Sequence, residues 1–142
     1  MGLALALALA IIAFAAGFHA HWALGGRLGL SVSLPQRPDG TPVMAHRLRL
    51  WRPAAGAIAL LLVALAALLL GRAHLLALSL PDAVERSTLL GVGFAFVARA
   101  LVPNRFVGFF KSLRGTRWAK YDTRLYCPLF LLLGALVLAQ AY

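Results

Sequence analysis

The chain has few acidic residues, few charges overall and one cysteine. Of its 142 residues, four are Asp or Glu and 13% are charged, about half the share of roughly 25% found in soluble domains. A water-soluble fold of this size could not cover its surface with so few polar groups. The lone Cys127 excludes an intramolecular disulfide and a metal cluster built on cysteines. No phosphate-binding loop, nucleophile motif or zinc signature occurs in the sequence.

Hydrophobic residues and cations are what the sequence has in abundance. Hydrophobic residues make up 62% of the chain, and fourteen Lys and Arg give a formal charge of +10. Disordered chains lack that many apolar residues. A nucleic-acid-binding domain would share the basicity but not the hydrophobicity, so we expect no nucleic-acid partner. The composition predicts a single integral membrane domain over residues 1–142.

Four apolar stretches are predicted to cross the membrane, at residues 3–24, 54–80, 81–102 and 125–142. The first would be about 33 Å long as a helix, enough to span a bilayer. It has no preceding Lys or Arg and exceeds the length of a signal-peptide core, which favours a span over a cleaved signal. Pro53 suits the first turn of the second helix. The sequence therefore predicts an all-α fold, a four-helix transmembrane bundle.

The cations predict the orientation of this bundle. Eleven of the fourteen lie in two loops, residues 27–52 and 104–124. Because Lys and Arg near span ends accumulate in the cytoplasm, we expect both termini to face outward from the inner (plasma) membrane. The two basic loops would then contact anionic lipid headgroups. Within the first loop, alternation at residues 30–34 predicts a short strand, and residues 37–40 predict a turn.

This topology gathers polar side chains at the cytoplasmic-leaflet end of the bundle. Arg99, inside the third span, is expected either to pair with Asp122 or to extend to the headgroups. Gly91 and Ala95 share its helix face and predict close helix packing there. Asp122 or Thr123 is expected to cap the N-terminus of span four. The candidate polar cluster for a ligand comprises His19, His21, Trp22, Arg99, Asp122, Arg124 and Tyr126.

The two histidines of span one are weak candidates for metal binding. His19 and His21 are two residues apart, so they point to different sides of a helix and cannot share one metal. A haem or metal site would need His46 as a second ligand, and we predict neither a metal nor a cofactor. A hydrogen-bonded structural role is the simpler interpretation of each imidazole.

Three sequence segments carry a family resemblance. HAHWALGG at residues 19–26 closes span one, while GFFK at 108–111 and DTRLYCPL at 122–129 precede span four. The chain resembles a bacterial family of small four-helix integral membrane proteins of unknown function. It departs from the family at Trp118, where Phe is expected, and at Cys127, where Ser is usual. The resemblance implies a fold and a membrane location, but no activity.

These observations lead to one functional expectation and two alternatives. We expect a membrane protein that binds a lipophilic ligand, a lipid or a partner protein at the polar end of the bundle. The first alternative is a membrane-embedded enzyme that uses His19 or His21 with Asp122 in acid–base chemistry on a hydrophobic substrate. Transport is the second alternative, and it would require a homo-oligomer, because four spans are few for a conduction path.

Overall fold

The computed structural model describes residues 2–44, 48–78 and 80–142, whose regular secondary structure is helical, as predicted, with no strand among them. Four long helices and two short ones follow each other along the chain. A π-helical turn at Asp122–Tyr126 joins the fifth helix to the sixth without a break. The helices are α1 (Leu3–Ala23), α2 (Leu30–Ser33), α3 (Leu48–Arg72), α4 (Asp82–Leu101), α5 (Arg117–Tyr121) and α6 (Cys127–Ala139).

Three helical segments are long and apolar enough to cross a membrane: Leu3–Ala23, Leu50–Arg72 and the continuous stretch Arg117–Ala139. The helix α4 has 20 residues, but charged side chains near both of its ends leave only residues 87–98 uncharged, and it is not one of these three. The described residues therefore contain three candidate membrane spans, and the fourth predicted span stays a prediction. The charged residues of α4 are Asp82, Glu85, Arg86 and Arg99.

The helices pack as two pairs, α1 with α3 and α4 with α6, and α1 also meets α6. Apolar side chains from all four long helices form one core. The backbones of α4 and α6 come closest at Gly93 and Gly134, where a β-carbon on Gly134 would lie 3.0 Å from the Gly93 carbonyl oxygen. The predicted packing face at Gly91 and Ala95 is wrong, because both residues are exposed. The buried core residues include Leu5, Ala8, Ile12, Leu69, Leu89 and Val137.

The second long helix differs from its prediction at both ends. It begins at Leu48 rather than residue 54, so Pro53 lies inside the helix rather than in its first turn. It also ends at Arg72 instead of continuing to residue 80. His74 takes a left-handed backbone with φ of 55°, and the amides of Leu75 and Leu76 both bond to the Leu70 carbonyl. This closes the helix in the manner of a left-handed C-terminal cap.

The first basic loop contains a helical turn rather than the predicted strand. Residues Leu30–Ser33 form α2, which begins after Gly29 with φ of 71°, and the Ser33 hydroxyl donates to the Gly29 carbonyl at 2.9 Å. The predicted turn at residues 37–40 is confirmed, because the Gly40 amide donates to the Arg37 carbonyl at 2.9 Å. Within it, a hydrogen bond from the Thr41 hydroxyl lowers the pKa of the exposed Asp39 carboxyl.

Candidate functional site

A buried carboxylate that binds two cations lies where α4, the second basic loop and the π turn meet. Asp122 is completely buried. Its Oδ1 accepts a hydrogen bond from Arg99 Nη2 at 2.6 Å. Its Oδ2 accepts from Lys111 Nζ at 3.0 Å and from the Gly108 amide at 2.9 Å. The Arg99–Asp122 ion pair, one of the two alternatives for Arg99, is therefore present.

The prediction that Asp122 or Thr123 caps the last helix is wrong. The helical stretch starts earlier, at Arg117, and its N-cap is Thr116, whose hydroxyl accepts from the Ala119 amide at 3.1 Å. Asp122 consequently lies inside the helical stretch, where its carboxylate turns toward Arg99 and Lys111 rather than toward its own backbone. The carboxylate can therefore accept hydrogen bonds from both cations of the ion cluster.

Lys111 is the member of this cluster that sequence reasoning missed. The sequence predicts a headgroup-facing loop at this position, yet Lys111 is only 1% exposed. Besides Asp122, its Nζ donates to the Gly108 carbonyl at 2.8 Å and to Thr123 Oγ1 at 2.6 Å. All three ammonium protons thus have an acceptor, as a buried lysine requires. The available signal was the GFFK segment, in which the lysine follows two phenylalanines and a glycine.

The backbone conformation of Gly108 lets the loop turn so that Lys111 lies beneath the C-terminal end of α4. Its φ is +89°, a conformation that suits glycine. A β-carbon at this position would also lie 3.1 Å from the Ala100 carbonyl oxygen. The next amide, that of Phe109, donates to the same carbonyl at 2.8 Å and so caps the end of α4. A substitution at Gly108 would therefore disturb both the cap and the ion cluster.

The π turn sets which side chains share a face with Asp122. In this turn the Cys127 amide bonds to the carbonyl of Asp122, five residues earlier. This spacing brings Cys127 Sγ within 3.5 Å of Asp122 Oδ2, and Sγ donates to it. Single π turns inside α-helices occur frequently at functional sites. Here the turn also places Leu125 and Tyr126 against a cavity.

The cavity has a volume of about 330 Å³ and adjoins the ion cluster through Arg99. Its walls are aromatic and aliphatic except for Arg99, His19 and Ser33. The guanidinium of Arg99 lies over the Phe130 ring, 4.8 Å from its centroid. All three tryptophans of the protein line the cavity. The large lining side chains are Phe14, Phe18, His19, Trp22, Trp51, Arg99, Trp118, Tyr121, Leu125, Tyr126, Leu129 and Phe130.

Two of the lining residues have buried N–H donors without an acceptor among the described residues. These donors are Trp51 Nε1 and Arg99 Nη1. Leaving a buried donor unsatisfied costs about 1–3 kcal/mol, and more for a charged group. The cavity is therefore apolar along its walls and has unmet hydrogen-bonding capacity at two positions.

Three of the other predicted site residues also line the cavity. His19 Nδ1 lies 2.8 Å from the Ala15 carbonyl oxygen. In the tautomer that carries its proton on Nδ1, this nitrogen donates to the helix backbone. Trp22 donates from Nε1 to the Leu28 carbonyl at 2.8 Å. The Tyr126 hydroxyl lies 3.1 Å from Ser33 Oγ, and this contact connects α2 to the π turn beside the cavity.

Two predicted site residues lie away from the cavity. His21 Nε2 accepts from the Leu28 amide at 3.3 Å, and its ring occupies the space beside Gly26 that a side chain there would fill. Arg124 is exposed and is not part of the cavity wall. Among the described residues no group of three or more His, Cys, Asp and Glu could hold a metal. His46, the suggested second ligand, lies outside the described residues.

The fold and the site define a class of protein: helical, with three candidate membrane spans, a buried ion cluster and an apolar cavity at one end. The chain belongs to the family described as "Protein of unknown function (DUF3995)", whose model matches residues 4–137. This confirms the expected membership of an uncharacterised family. Comparison with curated proteins gave no match, and comparison with solved structures gave none either.

Proposed function

We propose that the protein is a bacterial inner-membrane protein that binds a lipophilic ligand in the cavity beside Arg99. The observation that carries this proposal is the cavity itself. Its volume of about 330 Å³ falls in the range of about 300–1,000 Å³ typical of small-molecule sites, which are also mostly apolar with a few polar groups. A lipophilic molecule would fill this space and contact its aromatic walls.

The charge distribution on α4 supports a fourth span and an N-out, C-out topology. Its acidic residues and Arg86 lie in the first two turns, and Arg99 lies in the last turn. Residues 87–98 between them carry no charge. Arg72 of α3 forms ion pairs with Asp82 and Glu85, and Asp122 pairs with Arg99. Paired charges near the ends of a helix are compatible with a membrane span.

The cavity lies at the end of the bundle that carries the basic loops. On this topology it opens in the cytoplasmic leaflet, and the loop cations that are not paired would contact anionic headgroups. A ligand dissolved in that leaflet could therefore reach the cavity without crossing water. This location supports a lipid-soluble ligand over a water-soluble one.

Ligand binding has more support than the enzymatic alternative. Acid–base catalysis requires a base within hydrogen-bonding reach of its partner or of the substrate. None of the hydrogen bonds of the described residues joins His19 or His21 to Asp122. The Asp122 carboxylate already accepts from two cations, an amide and a thiol, so it acts as a structural counter-ion.

Quenching of tryptophan fluorescence tests the proposal, because every tryptophan in the chain lines the cavity. The probe is methyl dibromostearate, an uncharged chain whose bromines quench indole on contact, titrated into protein in a bromine-free detergent. We expect saturable quenching. Ala15→Leu adds volume at the cavity wall and should weaken binding at least tenfold. The matched control is Ala64→Leu, which makes the same change at an exposed position of α3 and should bind as the wild type does. Equal binding by all three proteins would contradict the proposal, as would the absence of saturable quenching by both this ester and its free acid.

A further inference from the structure

The ion cluster beside the cavity has one more positive charge than negative. Arg99 and Lys111 share the single carboxylate of Asp122, so two positive charges and one negative leave a net charge of +1. The other three acids of the chain do not compensate it. Asp39 bonds to Thr41 in the exposed turn, and Asp82 and Glu85 pair with Arg72. The ion cluster therefore keeps its net charge of +1.

Arg99 is where an additional anion could meet that charge. Lys111 and Asp122 are 1% and 0% exposed at their side chains, whereas Arg99 is 23% exposed. Arg99 is also the member of the three that lines the cavity. An uncompensated charge in a low-dielectric environment is costly. An anion in the cavity would lower that cost through Arg99.

The free hydrogen-bonding groups of the cavity point to the same chemistry. Arg99 Nη1 and Trp51 Nε1 are both donors without an acceptor among the described residues. The Ser33 and Tyr126 hydroxyls bond to each other, and His19 Nδ1 is engaged with the backbone. A guanidinium with a free N–H favours oxygen anions such as carboxylate and phosphate. The two unpaired nitrogens lie beneath the cavity surface, so the site offers a ligand headgroup the partly exposed guanidinium of Arg99 and its positive charge.

We infer that the ligand is an amphiphile with an anionic oxygen headgroup on Arg99 and a hydrocarbon body against the aromatic walls of the cavity. This inference rests on the proposed ligand-binding function and adds the chemical class of the ligand. A fatty acid and an anionic phospholipid share that chemistry. The net positive charge of the cluster opposes a cationic headgroup, and the partly exposed guanidinium of Arg99 favours an anionic headgroup over an uncharged one.

The test compares three bromine-labelled probes by tryptophan quenching at alkaline pH, where the carboxyl group is ionised. Dibromostearic acid and its methyl ester differ only in the head charge, and brominated phosphatidylglycerol represents a membrane lipid. We expect at least one anionic probe to bind at least tenfold more tightly than the ester. In Arg99→Gln this preference, measured as the ratio of the dissociation constants of ester and anion, should fall to about one. The variant retains the neutral Lys111–Asp122 pair, so we expect it to fold.

Lys111→Met provides a second variant that leaves the cavity wall intact. It removes the excess charge but keeps the Arg99 donors, so the preference for the anion should fall severalfold without disappearing. Preference for the acid alone identifies a free single-chain anion as the ligand, and preference for phosphatidylglycerol identifies a membrane lipid. Equal binding of ester and anions by the wild type would overturn the inference while leaving the proposed function standing. If no probe quenches the wild type, the proposed function fails as well.

Discussion

Asp122 is the residue on which the polar end of the bundle depends. Its carboxylate accepts from Arg99, Lys111 and the Gly108 amide, which belong to α4 and to the loop that follows it. Removing the charge would leave two cations, one of them buried, without a counter-ion. Breaking a buried ion pair by removing one partner typically costs 3–5 kcal/mol.

We therefore expect Asp122→Asn to lower the free energy of unfolding by about 3–5 kcal/mol. Lys111→Met should cost less, because Asp122 keeps Arg99 and the Gly108 amide. Combining Lys111→Met with Asp122→Asn should recover part of the loss, since the buried ammonium is then absent. Denaturant unfolding in detergent measures all three variants. A double variant that loses the sum of the two single effects would show that the residues do not interact.

From the sequence, the Arg99–Asp122 pair was one of two alternatives for Arg99, and the role of Lys111 was not predicted. The pair follows from topology, because Asp122 and Asp39 are the only acids on the side where Arg99 lies. Lys111 belongs to a loop without hydrophobic periodicity, and its burial depends on the left-handed backbone of Gly108. The sequence contains a glycine there, but it does not say against which helix end that glycine packs.

At the level of helices, α4 and α6 are held together by a close approach of their backbones. Gly93 and Gly134 face each other, and a β-carbon on Gly134 would also lie 2.9 Å from Val97 Cγ2. Small residues at such crossings let transmembrane helices pack closely. Since α4 carries Arg99 and α6 continues from the π turn, this crossing also fixes the distance between Arg99 and Asp122.

Gly134→Ala should consequently destabilise the protein by about 1–3 kcal/mol, the usual cost of overpacking. Gly91→Ala is the matched control, because a β-carbon on Gly91 meets nothing within 4 Å. It should be neutral or stabilising by up to about 1 kcal/mol, the difference in helix propensity between the residues. Equal destabilisation by the two variants, measured by thermal unfolding in detergent, would argue against the close crossing.

Helix positions were easier to predict than the boundaries and turns between helices. Long apolar runs identified α1, α3 and α6, because burial in lipid demands them. The strand predicted at residues 30–34 was wrong, since five alternating residues cannot distinguish a strand from the helical turn that Gly29 starts. No pattern in this sequence predicts the π turn. The hydrogen bond of this turn spans five residues, and that spacing depends on the contacts of Asp122 and Cys127.

Across the whole molecule, the Lys and Arg residues that outnumber the acids fall into two groups. Most cations lie in the two loops and predict the orientation of the chain in the membrane. Arg99 and Lys111 are different, because they lie in the buried cluster beside the cavity. If the cavity binds a lipophilic ligand as proposed, the membrane orientation decides which leaflet would supply that ligand.

Cysteine labelling tests that orientation in intact cells. Ser31→Cys places a thiol at an exposed position of the first basic loop, and Ala77→Cys places one at an exposed position of the loop between α3 and α4. The native Cys127 is buried and should contribute little background. An impermeant maleimide should label Ala77→Cys and leave Ser31→Cys unlabelled until the cells are opened. The reverse pattern would show that both termini face the cytoplasm.

Native mass spectrometry of the protein purified from membranes tests the binding of a lipophilic ligand most directly. We expect a non-covalent one-to-one adduct of a lipophilic anion on the wild type and on the control Ala64→Leu. The adduct should be lost or reduced at least tenfold in Ala15→Leu, whose extra volume intrudes on the cavity. A wild-type protein without an adduct, or an adduct retained equally by Ala15→Leu, would contradict the assignment of the cavity as a ligand site.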